Sequence, residues 1–282
     1  MRAVALDDSG LPRLADVPEP DGGGELVRIR ACGLCGSDVE KLGLAAAGTV
    51  LGHEVVAELA DGRRVVLVHH LPCGECPRCR AGHESTCETF RAATIVPGGF
   101  AERARARGGW AALPDDVDDA VGTYAEPLAC ALRGAERVPR GDVLVVGGGF
   151  VGRLFAAVLR QRGDAVYISD LDPERDGPPP PEAVDAAVVC APGGAATAVA
   201  AVKPGGTVLV FADPGALDVG RVYRDEIELV GSRSATPRHL EQAVRLLGEL
   251  ELPAATVLPL ERFDEGLELY RRRQALKLVF TP

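Results

Sequence analysis

Residues 142–161 have the sequence DVLVVGGGFVGRLFAAVLRQ, in which a short apolar run leads through three glycines into a longer apolar segment. The run Asp142–Val146 predicts a β-strand buried on both faces, and Phe150–Gln161 predicts an α-helix. Further strand-like runs occur at Ala165–Ser169, Asp185–Cys190, Thr207–Phe211 and Ile227–Val230. Apolar strands that alternate with helices are typical of a parallel sheet covered on both faces, so the predicted fold class is α/β.

Gly147, Gly149 and Gly152 are spaced as G-x-G-x-x-G between the predicted strand and the predicted helix. Gly147 permits a tight turn, Gly149 lets a pyrophosphate approach the backbone, and Gly152 lets the helix pack closely on the strand. The free N–H groups at the start of the helix, at Phe150 and Val151, favour phosphate oxygens. This context predicts a dinucleotide-binding site.

The next predicted strand ends at Asp170, about twenty residues beyond the glycines. A carboxylate at that position accepts hydrogen bonds from both ribose hydroxyls and repels a 2′-phosphate. The sequence therefore favours NAD over NADP as the cofactor. The alternative for Asp170 is an ordinary solvated acid in a loop.

Four of the eight cysteines lie within fifteen residues with the spacing C-x2-C-x2-C-x7-C, namely Cys73, Cys76, Cys79 and Cys87. Four thiolates in one loop complete a tetrahedral shell around Zn²⁺ and leave no open position for a substrate. The spacing predicts a structural zinc site rather than a disulfide framework. Four free or redox-active thiols are the alternative.

The charge balance and the uncharged segments exclude two classes of partner. The chain carries 41 acidic and 31 basic residues, a formal net charge of −10, whereas a nucleic-acid surface usually shows a basic excess. The longest uncharged run, Ala186–Val202, is too short for a membrane helix and contains Pro192. No signal-like apolar stretch precedes Asp7. We expect a cytoplasmic protein with no nucleic-acid partner and no membrane partner.

About the first 115 residues are strand and turn in character, and three short motifs lie in or just after them. These motifs are Gly33–Asp38, Gly52–Glu54 and Ala125–Ala129. None of them is decisive alone, since cysteine is commonly just buried and a His-Glu pair commonly has no metal.

Together with the glycine turn, the four cysteines, Pro97–Glu102 and Gly231-Ser232, these motifs resemble the zinc-dependent medium-chain dehydrogenase/reductase family. The resemblance covers nearly the whole chain. Glu126 stands where alcohol dehydrogenases carry cysteine, so the chain is most similar to the sorbitol (polyol) dehydrogenase-like branch. The resemblance implies a GroES-like catalytic domain at 1–137 with a zinc lobe at 73–87, a Rossmann NAD-binding domain at 138–236, and a segment at 237–282 that completes the catalytic domain.

The same resemblance implies a catalytic zinc with Cys35, His53 and Glu126 as its protein ligands. Glu54 would be an alternate ligand or a carboxylate close to the metal. Three protein ligands leave one zinc position for water or for the substrate oxygen. Ser37 matches the family's hydroxyl that takes the alcohol proton, although a serine after a turn is also an ordinary capping residue.

The chain departs from the family's proton relay at Glu40, where the family usually has a histidine. A carboxylate also accepts a proton, and His69 or His70 could substitute or line the pocket. The simpler interpretation of both histidines is that they are polar residues at the end of a strand.

A second departure is the length of the Rossmann domain. Fourteen residues separate Asp170 from the strand at Asp185, and five of them are proline, four in the run Pro178–Pro181. A helix and a strand do not fit in that space, so we expect five parallel strands instead of six. The edge beyond the adenine ribose would be open or covered by the proline-rich loop, and NAD would bind more weakly.

These observations predict an NAD-dependent zinc oxidoreductase with two zinc ions per chain. It would transfer hydride between NAD and a secondary alcohol or ketone of a polyol, sugar alcohol or (amino)cyclitol. The alternatives are a zinc-free reductase of quinones or enones, and a non-catalytic NAD-binding scaffold. By resemblance we expect a homo-oligomer, a dimer or a tetramer.

Overall fold

The computed structural model describes residues 1–90, 93–180 and 182–282, so Pro181 of the proline run lies outside the described residues. The described chain divides into two units. The first, which we call the β-rich unit, consists of Met1–Ala129, Ala235–Glu249 and Pro253–Pro282. The second, the parallel-sheet unit, consists of Cys130–Ser234 and Leu250–Leu252. The predicted domain limits at residues 137/138 and 236/237 stay a prediction.

Strands predominate up to Ala112, and strands and helices mostly alternate from Asp142 onward. The strands are β1 (Arg2–Leu6), β2 (Pro12–Asp16), β3 (Glu25–Gly33), β4 (Glu54–Glu58), β5 (Arg64–Leu67), β6 (Ile95–Val96), β7 (Arg103–Ala106), β8 (Trp110–Ala112), β9 (Asp142–Val146), β10 (Ala165–Ser169), β11 (Val184–Val189), β12 (Val202–Val210), β13 (Glu228–Gly231), β14 (Thr256–Pro259) and β15 (Leu278–Thr281). The helices are α1 (Gly36–Val39), α2 (Pro77–Arg80), α3 (Asp119–Gly122), α4 (Ala125–Ala135), α5 (Phe150–Gln161), α6 (Ala195–Ala201), α7 (Val219–Arg224), α8 (Pro237–Leu246) and α9 (Phe263–Arg271). Short 3₁₀ helices lie at Glu84–Thr86 and Leu260–Arg262.

The main sheet of the β-rich unit has the order β14-β15-β3-β4-β5-β8, with β7 also paired to β3 and β6 to β7. Alternation along β3 explains its place in the sheet. Val27 and Ile29 are buried, while Arg28 between them reaches Glu58 on β4 at 2.7 Å. This antiparallel arrangement buries one face of the sheet and leaves charged residues on the other.

The core of the β-rich unit joins parts of the chain that are far apart in sequence. Phe100 packs against Phe263 and Phe280, with ring centroids 5.0 and 5.7 Å away, and the last two rings are 4.5 Å apart. Offset and edge-on ring pairs of this kind stabilise a core beyond the apolar area they bury. The C-terminal segment is therefore an integral part of this unit.

The parallel-sheet unit contains a sheet of five parallel strands in the order β10-β9-β11-β12-β13. The prediction of an α/β fold with five parallel strands is confirmed. β12 begins at Val202, five residues before the predicted start at Thr207, and its pairing with β11 shifts register between Val184 and Ala186. The sequence does not predict this longer strand, because Pro204, Gly205 and Gly206 lie within it and glycine and proline usually end a strand.

The connection after β10 packs against the edge of the sheet. The N–H of Gly177 donates to the carbonyl oxygen of Ile168 on β10 at 3.1 Å, and the N–H of Asp170 donates to Asp176 at 3.0 Å. These bonds fold the acidic stretch 170–177 back over the end of the edge strand.

No helix in the described part of the chain is both long enough and apolar enough to span a bilayer.

Candidate active site and zinc lobe

The loop after β3 presents Cys35. Cys35 is the N-cap of α1, and its N–H donates to the Asp38 carboxylate at 3.2 Å, which fixes the start of that short helix. Gly33 ends β3 with no room for a side chain, since a β-carbon there would lie 2.1 Å from Oε2 of Glu54. The strand end and the cap thus bring Cys35 close to β4.

His53 immediately precedes β4 and is 7% exposed. Gly52 before it has φ +95°, and a β-carbon at Gly52 would lie 2.7 Å from Sγ of Cys32. Only glycine satisfies both the conformation and the space. Nδ1 of His53 lies 3.3 Å from Asp38, which also accepts from the Gly52 N–H at 3.3 Å, so the Nε2 side of the ring is left for another partner.

Asp38 and His53 form a buried acid–imidazole pair. Burial is the largest single influence on both groups and favours their neutral forms. The charge attraction and hydrogen bond between the two side chains, together with contributions from Cys35, outweigh it, so the pKa of Asp38 lies below its ordinary value and the pKa of His53 lies well above its own. An imidazole held this way by a carboxylate is a better electron donor to a metal ion.

Cys35, His53 and Glu54 form a candidate metal centre. One ligand atom from each lies within 4.8 Å of the others, and His53 and Glu54 are buried. Thiolate, imidazole and carboxylate at this spacing suit Zn²⁺, which binds sulfur at about 2.3 Å and nitrogen or oxygen at about 2.0–2.2 Å. Within the described ranges, Glu126 does not join Cys35 and His53 at this distance.

Glu54 also forms a buried ion pair. Its Oε2 accepts from Nζ of Lys277, which donates in addition to the carbonyl oxygen of Leu34 at 3.1 Å. The side chains of Glu54 and Lys277 are 1% and 3% exposed. The lysine, which comes just before β15, balances the carboxylate charge inside the β-rich unit.

Glu126 lies in the first turn of α4, where Pro127 is tolerated because first-turn N–H groups have no helical acceptor. It lines a small, solvent-open cavity together with His69, His70 and Thr236. The cavity adjoins the candidate metal centre, since the His69 ring is 4.4 Å from the His53 ring. Burial and the neighbouring imidazoles lower the pKa of His69, which keeps its ring neutral.

The two residues expected to move the alcohol proton lie on or next to α1. The Ser37 hydroxyl donates to Sγ of Cys35 at 3.4 Å, which places it beside the candidate metal centre. Glu40 is the C-cap of the same helix and is exposed. A solvated carboxylate thus lies three residues along the chain from Ser37.

The four cysteines Cys73, Cys76, Cys79 and Cys87 bring their sulfur atoms within 4.8 Å of one another. The N–H of Cys76 donates to Sγ of Cys73, and the N–H of Cys73 donates to Sγ of Cys87, both at 3.3 Å. Hydrogen bonds from the backbone and from Thr89 lower the pKa of Cys87 to about 6. Four converging thiols with N–H donors around them fit a closed tetrahedral zinc site.

The glycine turn adopts the geometry expected of a dinucleotide site. Gly147 has φ +109°, and a β-carbon at Gly152 would lie 1.8 Å from the carbonyl oxygen of Gly147, so helix α5 touches the turn there. Asp170 accepts from the N–H of Gly148 at 2.6 Å, which holds its carboxylate at the mouth of the turn. The weaker NAD affinity stays a prediction, to be checked by calorimetric titration.

Alanine at two of these glycines will separate stability from cofactor binding. Gly149 has an ordinary φ of −70°, and a β-carbon on it would have no atom within 4 Å, so Gly149→Ala should change stability by less than about 1 kcal/mol. We expect the same variant to bind NAD at least about tenfold more weakly, because the β-carbon occupies the pyrophosphate's position. Gly152→Ala should instead cost about 2–3 kcal/mol through overpacking.

Thermal unfolding and calorimetric NAD titration of both variants test this prediction. Wild-type NAD affinity in Gly149→Ala would contradict the placement of the pyrophosphate on the turn.

Two residues of the site have roles that the sequence does not reveal. Asp38 belongs to the motif Gly33–Asp38, but nothing local shows that its side chain reaches His53. Lys277 is 223 positions from its partner Glu54, and a lone lysine near the end of a chain carries no signal of burial. Its position just before an apolar β-run is the one available hint.

A parallel sheet with this glycine turn and a β-rich unit with a thiolate–imidazole–carboxylate group define a class of proteins, the zinc-dependent nucleotide-linked oxidoreductases. Residues 22–115 match the family model described as alcohol dehydrogenase GroES-like domain. D-altritol 5-dehydrogenase of Agrobacterium fabrum is 31% identical, over 92% of this chain and 94% of its own. Sorbitol dehydrogenase of Halalkalibacterium halodurans is 28% identical, over 100% of this chain and 99% of its own.

Among solved structures, the alcohol dehydrogenase TADH from Thermus sp. ATN1 superposes with a TM-score of 0.84 at 25% identity and covers 100% of both chains. The chain belongs to the zinc-dependent medium-chain dehydrogenase/reductase family, in its polyol dehydrogenase-like branch. It is an oxidoreductase that acts on CH–OH groups, in a family whose cofactors are zinc and NAD(P). The zinc-free reductase and the non-catalytic scaffold find no support in these comparisons.

Proposed function

We propose that this protein is an NAD-dependent zinc dehydrogenase that oxidises a secondary alcohol of a polyol or sugar alcohol, and reduces the corresponding ketone. The observation that carries the proposal is the gathering of Cys35, His53 and Glu54 within 4.8 Å. Beside them lies a mainly apolar cavity into which Glu126 and Thr236 bring polar groups. The names of the curated relatives, D-altritol 5-dehydrogenase and sorbitol dehydrogenase, support the polyol as substrate class.

In this proposal Cys35, His53 and Glu54 hold the catalytic zinc, and the four cysteines of the lobe hold a structural zinc. When bound, zinc supplies a Lewis acid that favours the alkoxide form of the alcohol, and NAD accepts the hydride. Asp38 orients the His53 ring through Nδ1. Lys277 holds the Glu54 side chain in place and balances its charge.

The proton of the alcohol passes to Ser37, whose hydroxyl lies beside Cys35. Glu40, three residues from Ser37, is a carboxylate open to solvent, unlike the buried Asp38, so it completes the route in place of the family's histidine. In this scheme Glu126 binds the substrate and not the zinc. Its carboxylate, in the cavity with His69 and Thr236, accepts hydrogen bonds from hydroxyls adjacent to the reacting carbon.

Cofactor choice follows from Asp170. Its carboxylate is fixed by the N–H groups of Gly148 and Asp172, at 2.6 and 2.9 Å. A negative charge fixed at the mouth of the turn accepts from ribose hydroxyls and repels a 2′-phosphate. We therefore propose NAD as the preferred cofactor.

We also propose a cytoplasmic homo-oligomer, a dimer or a tetramer, built from the catalytic domain 1–137 with 237–282 and the NAD-binding domain 138–236. None of the eight cysteines is in a disulfide bond, as a reducing compartment allows. Val219 and Tyr223 on α7 are 68% and 84% exposed, which favours association through an apolar contact. Light scattering of the purified enzyme measures the number of chains.

A panel of polyols, aminocyclitols and simple alcohols, assayed by NADH absorbance beside a zinc determination, tests the activity. Zinc at two ions per chain with NADH formation on a polyol is the expected result. No NADH with any member of the panel, in either direction, would overturn the proposal.

Paired glutamine variants decide which carboxylate binds the catalytic zinc. Glu54→Gln should lower the zinc content toward one ion per chain, because a neutral amide is a poor zinc ligand. Glu126→Gln should keep two ions per chain and lower kcat/KM for the polyol by about 10- to 100-fold, since it loses a charged hydrogen bond to the substrate. Zinc loss in Glu126→Gln with retention in Glu54→Gln would reverse the assignment.

A further inference from the structure

Four aromatic rings follow one another from the candidate metal centre to the four-cysteine lobe. The centroids of His53 and His69 are 4.4 Å apart, and those of His69 and His70 are 3.9 Å apart. His70 is stacked on Phe90 at 4.0 Å with only 7° between the ring planes. We call His53, His69, His70 and Phe90 the ring stack.

The two ends of the ring stack are anchored differently. Phe90 is 4% exposed and packs in a small cluster with Cys76 and Cys87, two of the predicted lobe ligands. At the other end, Asp38 holds His53 through Nδ1. A hydrogen bond in the plane of an imidazole leaves the ring able to tilt about that bond, and the His69 ring lies where it limits such tilting.

The middle of the ring stack is fixed through the backbone. The Thr94 hydroxyl donates to the carbonyl oxygen of His69 at 2.6 Å, and Thr94 is 7% exposed. The peptide that carries His69 and His70 is therefore held, and the two rings occupy the space between the lobe and His53.

We propose that His69 and His70 are positioning residues, which hold the His53 imidazole for metal binding and transmit the folded state of the four-cysteine lobe to the catalytic centre. The proposal rests on the proposed function, because it takes His53 as a zinc ligand. Aromatic pairs contribute enough free energy that the loss of one should change zinc retention by about 3- to 10-fold.

The test compares His70→Ala, which breaks the stack, with His70→Phe, which preserves it, in the full-length enzyme loaded with zinc. A chromogenic chelator records the release of each zinc ion, and Cys35→Ala identifies the phase that belongs to the lobe. We expect His70→Ala to release the catalytic zinc about 3- to 10-fold faster, with the lobe phase unchanged. His70→Phe should release it at the wild-type rate.

The visible spectrum of the cobalt-substituted enzyme gives a second readout, since d–d bands report ligand geometry and a merely structural role would leave them unchanged. The d–d bands should shift in His70→Ala and should keep their wild-type positions in His70→Phe. His83→Ala is the matched control, because His83 is an exposed histidine of the lobe outside the ring stack. Wild-type zinc release in His70→Ala, or equal release in both His70 variants, contradicts the proposal.

The proposed function fails separately from this inference. In that case the wild-type enzyme itself would lack the catalytic zinc phase or would not oxidise any polyol.

Discussion

Cys35→Ala will lower kcat/KM for alcohol oxidation by at least about 1,000-fold and reduce the zinc content from two ions per chain to one. A Lewis acid stabilises the developing alkoxide by several kcal/mol, and about 4 kcal/mol corresponds to this factor. Among the three proposed ligands the thiolate would bind the zinc most strongly, because zinc favours sulfur. Elemental analysis and steady-state NADH kinetics measure the two effects on the same preparation.

Cys130→Ala is the matched control for this variant. Cys130 is a buried cysteine of α4 that belongs to neither group of candidate metal ligands in the described chain. It should keep two zinc ions and an activity within about threefold of wild type. Equal activity in the Cys35 and Cys130 variants would show that the catalytic zinc is held elsewhere.

Lys277→Met will destabilise the protein by about 3–5 kcal/mol, because it leaves the buried Glu54 carboxylate without its partner. In a chain of this size such a loss lowers the thermal midpoint by roughly 10 °C. The double variant E54Q/K277M should recover at least half of the lost free energy of unfolding, since neither charge then remains buried alone. Differential scanning fluorimetry at neutral pH records all three midpoints.

Lys203→Met is the control for the loss of a lysine. Lys203 pairs with Asp185, but its side chain is 54% exposed, and exposed ion pairs contribute at most about 1 kcal/mol. Zinc adds a further arm to the experiment. If Glu54 is a zinc ligand, the thermal midpoint of Lys277→Met will fall less in the zinc-loaded enzyme than in the zinc-depleted one. A midpoint within about 2 °C of wild type in both states would contradict the buried pair.

The local pattern of the sequence predicts most of the parallel-sheet unit. The predicted bounds of β9, β10 and α5 agree with the structure, because continuous apolar strands, glycines and a helical period are all short-range signals. The five-stranded sheet follows from counting the residues between Asp170 and Asp185. By contrast, the start of β12 depends on pairing with β11, which no local pattern shows.

The site is less accessible to prediction. Cys35 and His53 can be named because each lies in a short motif, and the structure brings them together. The choice between Glu54 and Glu126 depends on how β4 and the start of α4 are placed in three dimensions. Spacing along the chain has no bearing on that choice, and the same is true of the contact between Glu54 and Lys277.

The folded-back stretch 170–177 has a consequence for the solubility of the protein. A sheet that lacks an outer strand leaves the backbone of its last strand open to pairing with other molecules, and such edges are a common origin of aggregation. In this chain the N–H of Gly177 already donates to the Ile168 carbonyl oxygen of that strand. The stretch 170–177 carries four acidic residues, and three described prolines follow it in sequence. Prolines cannot extend a sheet, and like charges repel a second copy of the chain. The stretch after β10 therefore opposes edge-to-edge pairing of two sheets.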